Sequence, residues 1–513
     1  MDEIYEKNKI YRGARAFFGF MCAAVIGCMA AASAVLTVYY PPDYSEVPFI
    51  EVSVFPALAG TAVLLLCAVL AYGFGLFKQL NIKHLTCFMA AFAVIFGALW
   101  VVFAKDTPGS DMALVCENAE KMAAGDFSML RPLAYFSQFP FQLGIGTVIF
   151  IFMLIFGENY QLAFQLANVF CAAVMLYYLA HITDLLFKSR GASVLVRLLL
   201  MLCTPVFLCC TLLYGNIISP MFCVMALFYA LGASSKKHGY LLAVICMAFG
   251  YLCKPNALIF AIGIAIYLVF QAIARRKVLP VATAVCIFAA MWLSGEGMLN
   301  IYENVSGYDL HSGMPKTAWI AMGLQEGPLA PGWFNSYTDS IYIANGGDEA
   351  EISAEAMSSI KSSVKNFVQS PDYTLRFFGQ KAIIQWCEPT YSGFWVSAPD
   401  VVHGEDRGLR AIITLLYFGQ LHDIAVFLMD TVQLLFYGGA AYCIWRNFKR
   451  LTIAQLTPAI IILGGVAYHL LSESKCLYAL PYYVLFVPYA AFGIYTLCGD
   501  IGKRFKISQW RKK

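Results

Sequence analysis

Apolar runs of about twenty residues recur along almost the whole of this chain, and that recurrence limits its fold more than any motif does. A helix needs roughly 20 residues to cross a hydrocarbon core of about 30 Å. Inside lipid every backbone amide has to be paired within its own segment, and these runs lack the two-residue alternation of a barrel strand, so they read as helices. Composition agrees: with 60% hydrophobic and only 13% charged residues, 513 residues carry too little polar surface to cover a water-soluble globule. The expected fold class is an all-α polytopic membrane protein.

Thirteen candidate spans stand out, at residues 16–39, 52–76, 85–104, 140–156, 162–184, 194–214, 217–234, 240–253, 257–273, 278–293, 425–445, 455–471 and 477–498. The first is too long for the core of a cleaved signal peptide and more spans follow it, so a retained helix is expected. Both ends of the chain are basic, through Lys7, Lys9, Arg12 and Arg15 and through Lys503, Arg504, Lys506 and the final Arg511-Lys512-Lys513. Basic flanks favour the cytoplasm, which requires an even number of crossings. The segment 140–156 is short, opens on Pro140 and carries Gly144 and Gly146, so it is the one expected to lie along the outer surface. With about twelve crossings left, Lys78/Lys83, Lys188/Arg190, Lys236/Lys237, Arg275-Arg276-Lys277 and Arg446/Lys449/Arg450 all fall on the cytoplasmic side.

The basic clusters sit at span ends and not along a helix face, so nucleic acid is not an expected partner. The 17 cysteines are scattered through apolar runs without metal-ligand spacing. They read as small packing residues, and neither a disulfide scaffold nor a metal site is expected.

Two extracytoplasmic segments, 105–161 and 300–421, are too long for connectors and are expected to carry the function. The chain then divides into an N-terminal hairpin (1–84), a module of spans with the first external loop (85–299), an external cap (300–421) with a helix expected over 351–368, and C-terminal spans with a basic tail (422–513). The first loop opens with Asp106-Thr-Pro-Gly-Ser-Asp111, continues through an amphipathic stretch to Gly125-Asp126-Phe127, and then reads Tyr135-Phe-Ser-Gln138-Phe-Pro140-Phe-Gln142-Leu-Gly144 before Phe156-Gly157. Near the C-terminus stands Glu473-Ser-Lys475-Cys-Leu-Tyr478-Ala-Leu-Pro481.

In order and spacing the first loop resembles that of GT-C glycosyltransferases of the aminoarabinose transferase and protein O-mannosyltransferase type. The C-terminal run is similar to the Glu…Arg-Tyr…Pro step of those families, with Lys475 in place of arginine. The resemblance implies a catalytic acidic residue at Asp111, with Asp106 as the second candidate. It departs where the family has Lys-Pro-Pro or His-Pro-Pro, since Gln138-Phe139-Pro140 puts no basic side chain there. Its implied activity is transfer of a sugar from a polyprenyl-phosphate donor to an envelope glycan, lipid or protein acceptor, in the cell membrane on the extracytoplasmic side. No cofactor is implied.

Chemistry arrives at a compatible mechanism. Outside the cytoplasm there is no pool of nucleotide sugars, so an activated sugar has to come on a lipid carrier. A carboxylate is needed to take the acceptor proton, and cations are needed to stabilise the departing phosphate. Lys254, Lys475, Arg131 and Lys316 lie on the outer side and are candidates for the phosphate, while Tyr135, Gln138, Gln142 and Tyr478 are candidates for phosphate or sugar contacts. Each has an ordinary alternative: an aspartate before a helix is often an N-cap, and a lysine at a span end often snorkels. His311, His403, His422 and His469 lack ligand spacing, and Asp430 lies within a span, where an ionisable group is costly. Two rival functions stay open: a polymerase or ligase with a diphosphate-linked donor, relying on Arg376, Arg407 and Arg410, or a lipid or solute transporter.

Overall fold

The computed structural model describes residues 8–40, 47–104, 107–233, 238–397 and 407–505. The first helix, α1 (Lys9–Ser33), is opened by Asn8, whose side chain accepts from the Ile10 and Tyr11 amides. It stops short of the expected end at residue 39. Leu36–Tyr39 is a strand, β1, that pairs antiparallel with β2 (Phe49–Val52). The β-branched and aromatic residues of β1 read as a continuation of the apolar run, which is why hydropathy alone extends the span through them.

The following helices are α2 (Val54–Phe74), α3 (Ile82–Ala104) and the amphipathic α4 (Ser110–Ala123) of the first loop. Next come α5 (Leu143–Phe156), α6 (Tyr160–Phe187) and α7 (Arg190–Leu200), which bends by 45° into Thr204–Thr211. After these stand α8 (Gly215–Gly232), α9 (Gly239–Cys253), α10 (Ala257–Arg275) and α11 (Leu279–Ser306). The cap contains α12 (Lys316–Gly323), α13 (Tyr337–Ala344), α14 (Glu349–Gln369), α15 (Pro371–Trp386) and α16 (Leu409–Phe418). The C-terminal part is α17 (Leu421–Asn447), α18 (Ile453–Leu471) and α19 (Phe486–Arg504), the last bent by 54° from Cys476–Tyr483.

Among the described residues nine helical stretches are long and apolar enough to span a membrane, and eleven if each bent pair counts as one span. The twelfth expected crossing is α9, whose 15 residues reach only about 22 Å at 1.5 Å per residue. The segment expected to lie at the surface, α5, has 14 residues and reaches only about 21 Å. It passes through a short 3-10 turn at Gly157 directly into α6. Helix α11 runs on to Ser306, beyond the expected start of the cap, and ends where Gly307 adopts φ +75°. The helix expected over 351–368 is α14, capped by the Asp348 carboxylate on the Ala350 and Glu351 amides.

Burial sorts the bundle into a centre and a rim. In α2 only Ala57, Thr61 and Gly73 are buried, while Val63, Leu66 and Phe74 are exposed. In an apolar helix that pattern marks a face for lipid. By contrast α8 is buried along nearly its whole length, and it packs on α9 and α6.

Among the described residues, basic residues at the ends of α1, α7 and α17 meet at one end of this bundle. Tyr11 accepts a hydrogen bond from the Ile453 amide, Gln455 donates to the Leu186 carbonyl, Arg190 donates to the Lys78 and Leu80 carbonyls, and Arg446 pairs with Asp500 at 3.0 Å. The first loop, the turn after α9, the turn after α18 and the cap gather at the other. Lys236, Lys237, Asp106 and His403 lie outside the described residues.

Candidate functional site

Four segments far apart in the chain converge at the end opposite the basic clusters: α4 with its following loop, the start of α8, the turn Lys254-Pro255-Asn256, and the turn 472–478. Two glycines make the convergence possible. A Cβ on Gly144 would lie 1.9 Å from the Leu252 carbonyl oxygen, and one on Gly215 would lie 2.2 Å from that of Cys253. Both helix starts can therefore press against the backbone just before Lys254.

Lys254 is the centre of the group. Its ammonium donates to Asn216 Oδ1 and stands 5.2 Å from the ring centroids of both Tyr214 and Tyr478. Gln142 donates from Nε2 to the Tyr214 hydroxyl, which ties the first loop to the same ring. The Tyr478 hydroxyl donates to Glu473 Oε2 at 3.3 Å, and the other side of Tyr478 faces the His469 ring at 6.0 Å. Burial pushes the Lys254 ammonium down to about 8, while the carboxylates of Glu473 and Asp111 act in the opposite direction.

Asp111, in the first turn of α4, is solvent-exposed, yet its charge reaches Tyr135, Tyr214, Lys254 and Tyr478. Lys475 is near enough to Lys254 to repel it, and its ammonium lies 4.4 Å over the Trp395 ring. The site thus holds two ammonium groups and two carboxylates around a wall of tyrosines. It can attract a phosphate at the lysines and accept a proton at a carboxylate.

Of the residues expected from sequence, Asp111, Lys254, Lys475, Tyr135, Gln142 and Tyr478 come together. Gln138 turns to the cap, where its Nε2 donates to Asp339 at 2.8 Å and its carbonyl accepts from the Met314 amide. Arg131 is exposed and donates to the Tyr308 hydroxyl, and Lys316 is exposed at the start of α12; neither contacts the Lys254 group. Asp106 lies outside the described residues. Asp430 is buried beside Thr37 and within the field of Glu388. Among the histidines, His422 packs on Phe394, and His311 lies between Glu296 and Glu303. Ligand atoms of Glu303, Asp309 and His311 lie within 4.8 Å of one another, at an exposed position away from Lys254.

Sequence reasoning did not assign Asn216, Tyr214, Glu473 or Lys381. The first two precede an apolar run with nothing local to distinguish them. Glu473 was visible in the C-terminal motif without a role. Lys381 is fully buried in α15 and donates to the Gly323 carbonyl and, at 2.6 Å, to that of Ser472. The Ser474 amide and hydroxyl bond to the Gly332 and Pro331 carbonyls. The turn bearing Glu473 and Lys475 is therefore clamped from the cap side.

Fold and site together define a polytopic helical membrane protein with a mixed-charge, tyrosine-walled site at one end of its bundle. Residues 143–294 match the family model described as dolichyl-phosphate-mannose-protein mannosyltransferase. That segment contains α5, Tyr214, Asn216 and Lys254, and leaves out Asp111, Gln142 and Lys475; the family it names agrees with the glycosyltransferase resemblance stated from the motifs. A solved structure, that of ArnT from Cupriavidus metallidurans bound to undecaprenyl phosphate, is similar at 15% identity over 81% of this chain and 78% of that one, with a TM-score of 0.35. A score this low adds no weight to the fold, which rests on the helices themselves. No curated protein has a significant match to the chain.

Proposed function

We propose that this protein is a membrane glycosyltransferase that moves a sugar from a polyprenyl-phosphate donor to an acceptor hydroxyl on the side away from its basic clusters. The observation that carries the reading is the meeting of Asp111 with Lys254 and Lys475 at the bundle end opposite those clusters. The positive-inside rule makes the clustered end cytoplasmic, so the site faces outward, where lipid-linked sugars are the available donors. The resemblance of the first loop and the family match over residues 143–294 support the same class.

In the reaction the acceptor oxygen attacks the anomeric carbon and its proton passes to the Asp111 carboxylate. The bond from that carbon to the phosphate oxygen breaks, and the polyprenyl phosphate leaves with the bonding pair. Lys254 and Lys475 offset the charge that grows on the departing phosphate. Tyr214, Tyr478 and Asn216 hold the Lys254 ammonium in place, and Glu473 fixes Tyr478. A single phosphate needs no more than these two ammonium groups, which favours a monophosphate donor over the diphosphate of a polymerase or ligase. Arg376, a candidate for that rival, lies over the Tyr373 ring at 5.7 Å.

The test is mass spectrometry of lipid-linked sugars in a strain deleted for this gene, together with transfer by the purified protein in lipid nanodiscs. A polyprenyl-phosphate sugar should accumulate in the deletion strain and be consumed by the protein. If the lipid-linked pool is unchanged and the protein turns over no such donor, the reading fails.

A further inference from the structure

The cap carries a groove separate from the Lys254 site. It is a small open cleft of about 190 Å³, below the roughly 300–1,000 Å³ of clefts that enclose a drug-sized ligand. Its walls are Leu324, Gln325 and Glu326 on one side, and Ser363, Asn366, Phe367 and Tyr373 on the other. Ser363, Asn366 and Phe367 fall at spacings of three and four along α14 and so share one face.

The chemistry of these walls is specific. Phe367 and Tyr373 stack at 5.6 Å and 15°, with the Arg376 guanidinium 5.7 Å from the Tyr373 ring, which places an aromatic pair at the C-terminal end of α14. The Gln325 amide is held rigid, donating to Ser359 Oγ at 2.9 Å and accepting from Asn335 Nδ2 at 2.9 Å. Among the described residues the side chains of Ser363 and Asn366 have no partner within the protein, so their donors and acceptors face the cleft or solvent. Glu326 adds an exposed carboxylate near the Tyr373 hydroxyl. An aromatic face beside amide, hydroxyl and carboxylate groups matches a pyranose, which offers an apolar C–H face and a rim of hydroxyls. A peptide strand would need a free backbone edge to pair with, whereas both flanking walls are helical or turned.

The groove is also wired to the Lys254 site through the backbone. The Gly332 amide donates to the Gln325 carbonyl at 2.9 Å, and the Gly332 carbonyl accepts from the Ser474 amide at 3.1 Å. Two hydrogen bonds therefore connect the groove wall to the turn that carries Glu473 and Lys475. Leu324 follows Gly323, whose carbonyl takes a bond from Lys381, which also holds Ser472.

We infer that this groove binds a saccharide portion of the acceptor, so that the acceptor is a glycan or glycosylated molecule. The inference rests on the glycosyltransferase reading for the word acceptor, but the groove's affinity for sugar does not depend on it. The probes are a panel of trisaccharides of glucose, mannose, galactose and N-acetylglucosamine, with an unglycosylated serine- and threonine-rich peptide as the contrasting ligand. Binding to the full chain in nanodiscs is read by saturation-transfer difference NMR, and undecaprenyl phosphate binding is measured separately on the same samples.

At least one trisaccharide should bind wild type, with a Kd raised tenfold or more by Tyr373→Ala combined with Asn366→Ala, and several-fold by the milder Glu326→Gln. Lys254→Ala should keep the saccharide affinity. Absence of saccharide binding by wild type, affinity unmoved by the groove substitutions in folded protein, or binding of the peptide alone would each overturn the inference. Saccharide binding without any binding of undecaprenyl phosphate would leave the groove standing and count against the donor reading instead.

Discussion

The ammonium of Lys254 and the ring of Tyr478, separated by more than two hundred residues in the chain, lie 5.2 Å apart from charge to centroid. Tyr214 flanks the same ammonium at the same distance, and Asn216 Oδ1 accepts a hydrogen bond from it. The charge is held in one place by three side chains from two segments, which is what a phosphate-binding lysine needs. Lys254→Ala should raise the KM for a polyprenyl-phosphate sugar by on the order of 10- to 100-fold, as expected for losing a charge-assisted contact of about 1.5–3 kcal/mol. The acceptor KM should change far less, and steady-state kinetics with each substrate varied in turn checks the split.

The same residue sets a pH dependence. Burial holds the Lys254 ammonium down to about 8, below the ordinary lysine value, so it is charged below that pH and neutral above it. A phosphate is attracted only by the charged form, so donor affinity should fall as pH rises through about 8. Lys254→Arg keeps its charge at any working pH and should remove the alkaline limb while weakening binding somewhat through its different shape. Retention of the limb in that variant would assign it to another group.

Asp111 carries a separable prediction because it is exposed and lies at the helix start, where it supports no packed core. Asp111→Asn keeps the size of the side chain and removes its basicity. Turnover should drop by about 10²- to 10⁴-fold, the span typical for loss of a general base. Membrane insertion and thermal stability should stay close to wild type, and activity close to wild type in a folded variant would transfer the role of base elsewhere, with Glu473 the nearest alternative.

The spans were legible because lipid imposes one rule on every residue of a crossing helix, and the apolar runs obey it. What the rule cannot see are breaks that keep the apolar character: β1 after Ala34, the 45° bend after Leu200 and the 54° bend before Phe486. Asp111, Lys254 and Lys475 could be singled out as candidates because polar residues at the ends of spans are few. Arg131 and Lys316 satisfy that same condition, and only the folded chain directs them away, one to Tyr308 and the other to the cap surface. Tyr214 and Asn216 became visible only when Gly215 brought the start of α8 against the carbonyl of Cys253. Pairwise approach of this kind depends on packing between helices, which no local pattern encodes.

Lys381 is the residue whose meaning depends most on that packing. It is fully buried in α15, and its ammonium serves the carbonyls of Gly323 and Ser472. Burial pushes it down to about 7, with the Glu473 carboxylate pulling the other way. Since the folded value lies below that of the unfolded chain, the unfolded state binds more protons between about pH 7 and the ordinary lysine range, and the Lys381 contribution to stability grows as pH rises across that window. Lys381→Met should abolish that component of the pH dependence of thermal unfolding. It should also leave two buried carbonyls without their donor, at about 1–3 kcal/mol each. Because one of those carbonyls begins the turn that carries Glu473 and Lys475, kcat should fall even at temperatures where the variant remains folded. A variant that lost stability but kept wild-type kcat at low temperature would show that the clamp serves the cap alone and leaves the position of the two charged side chains to α18 and Trp395.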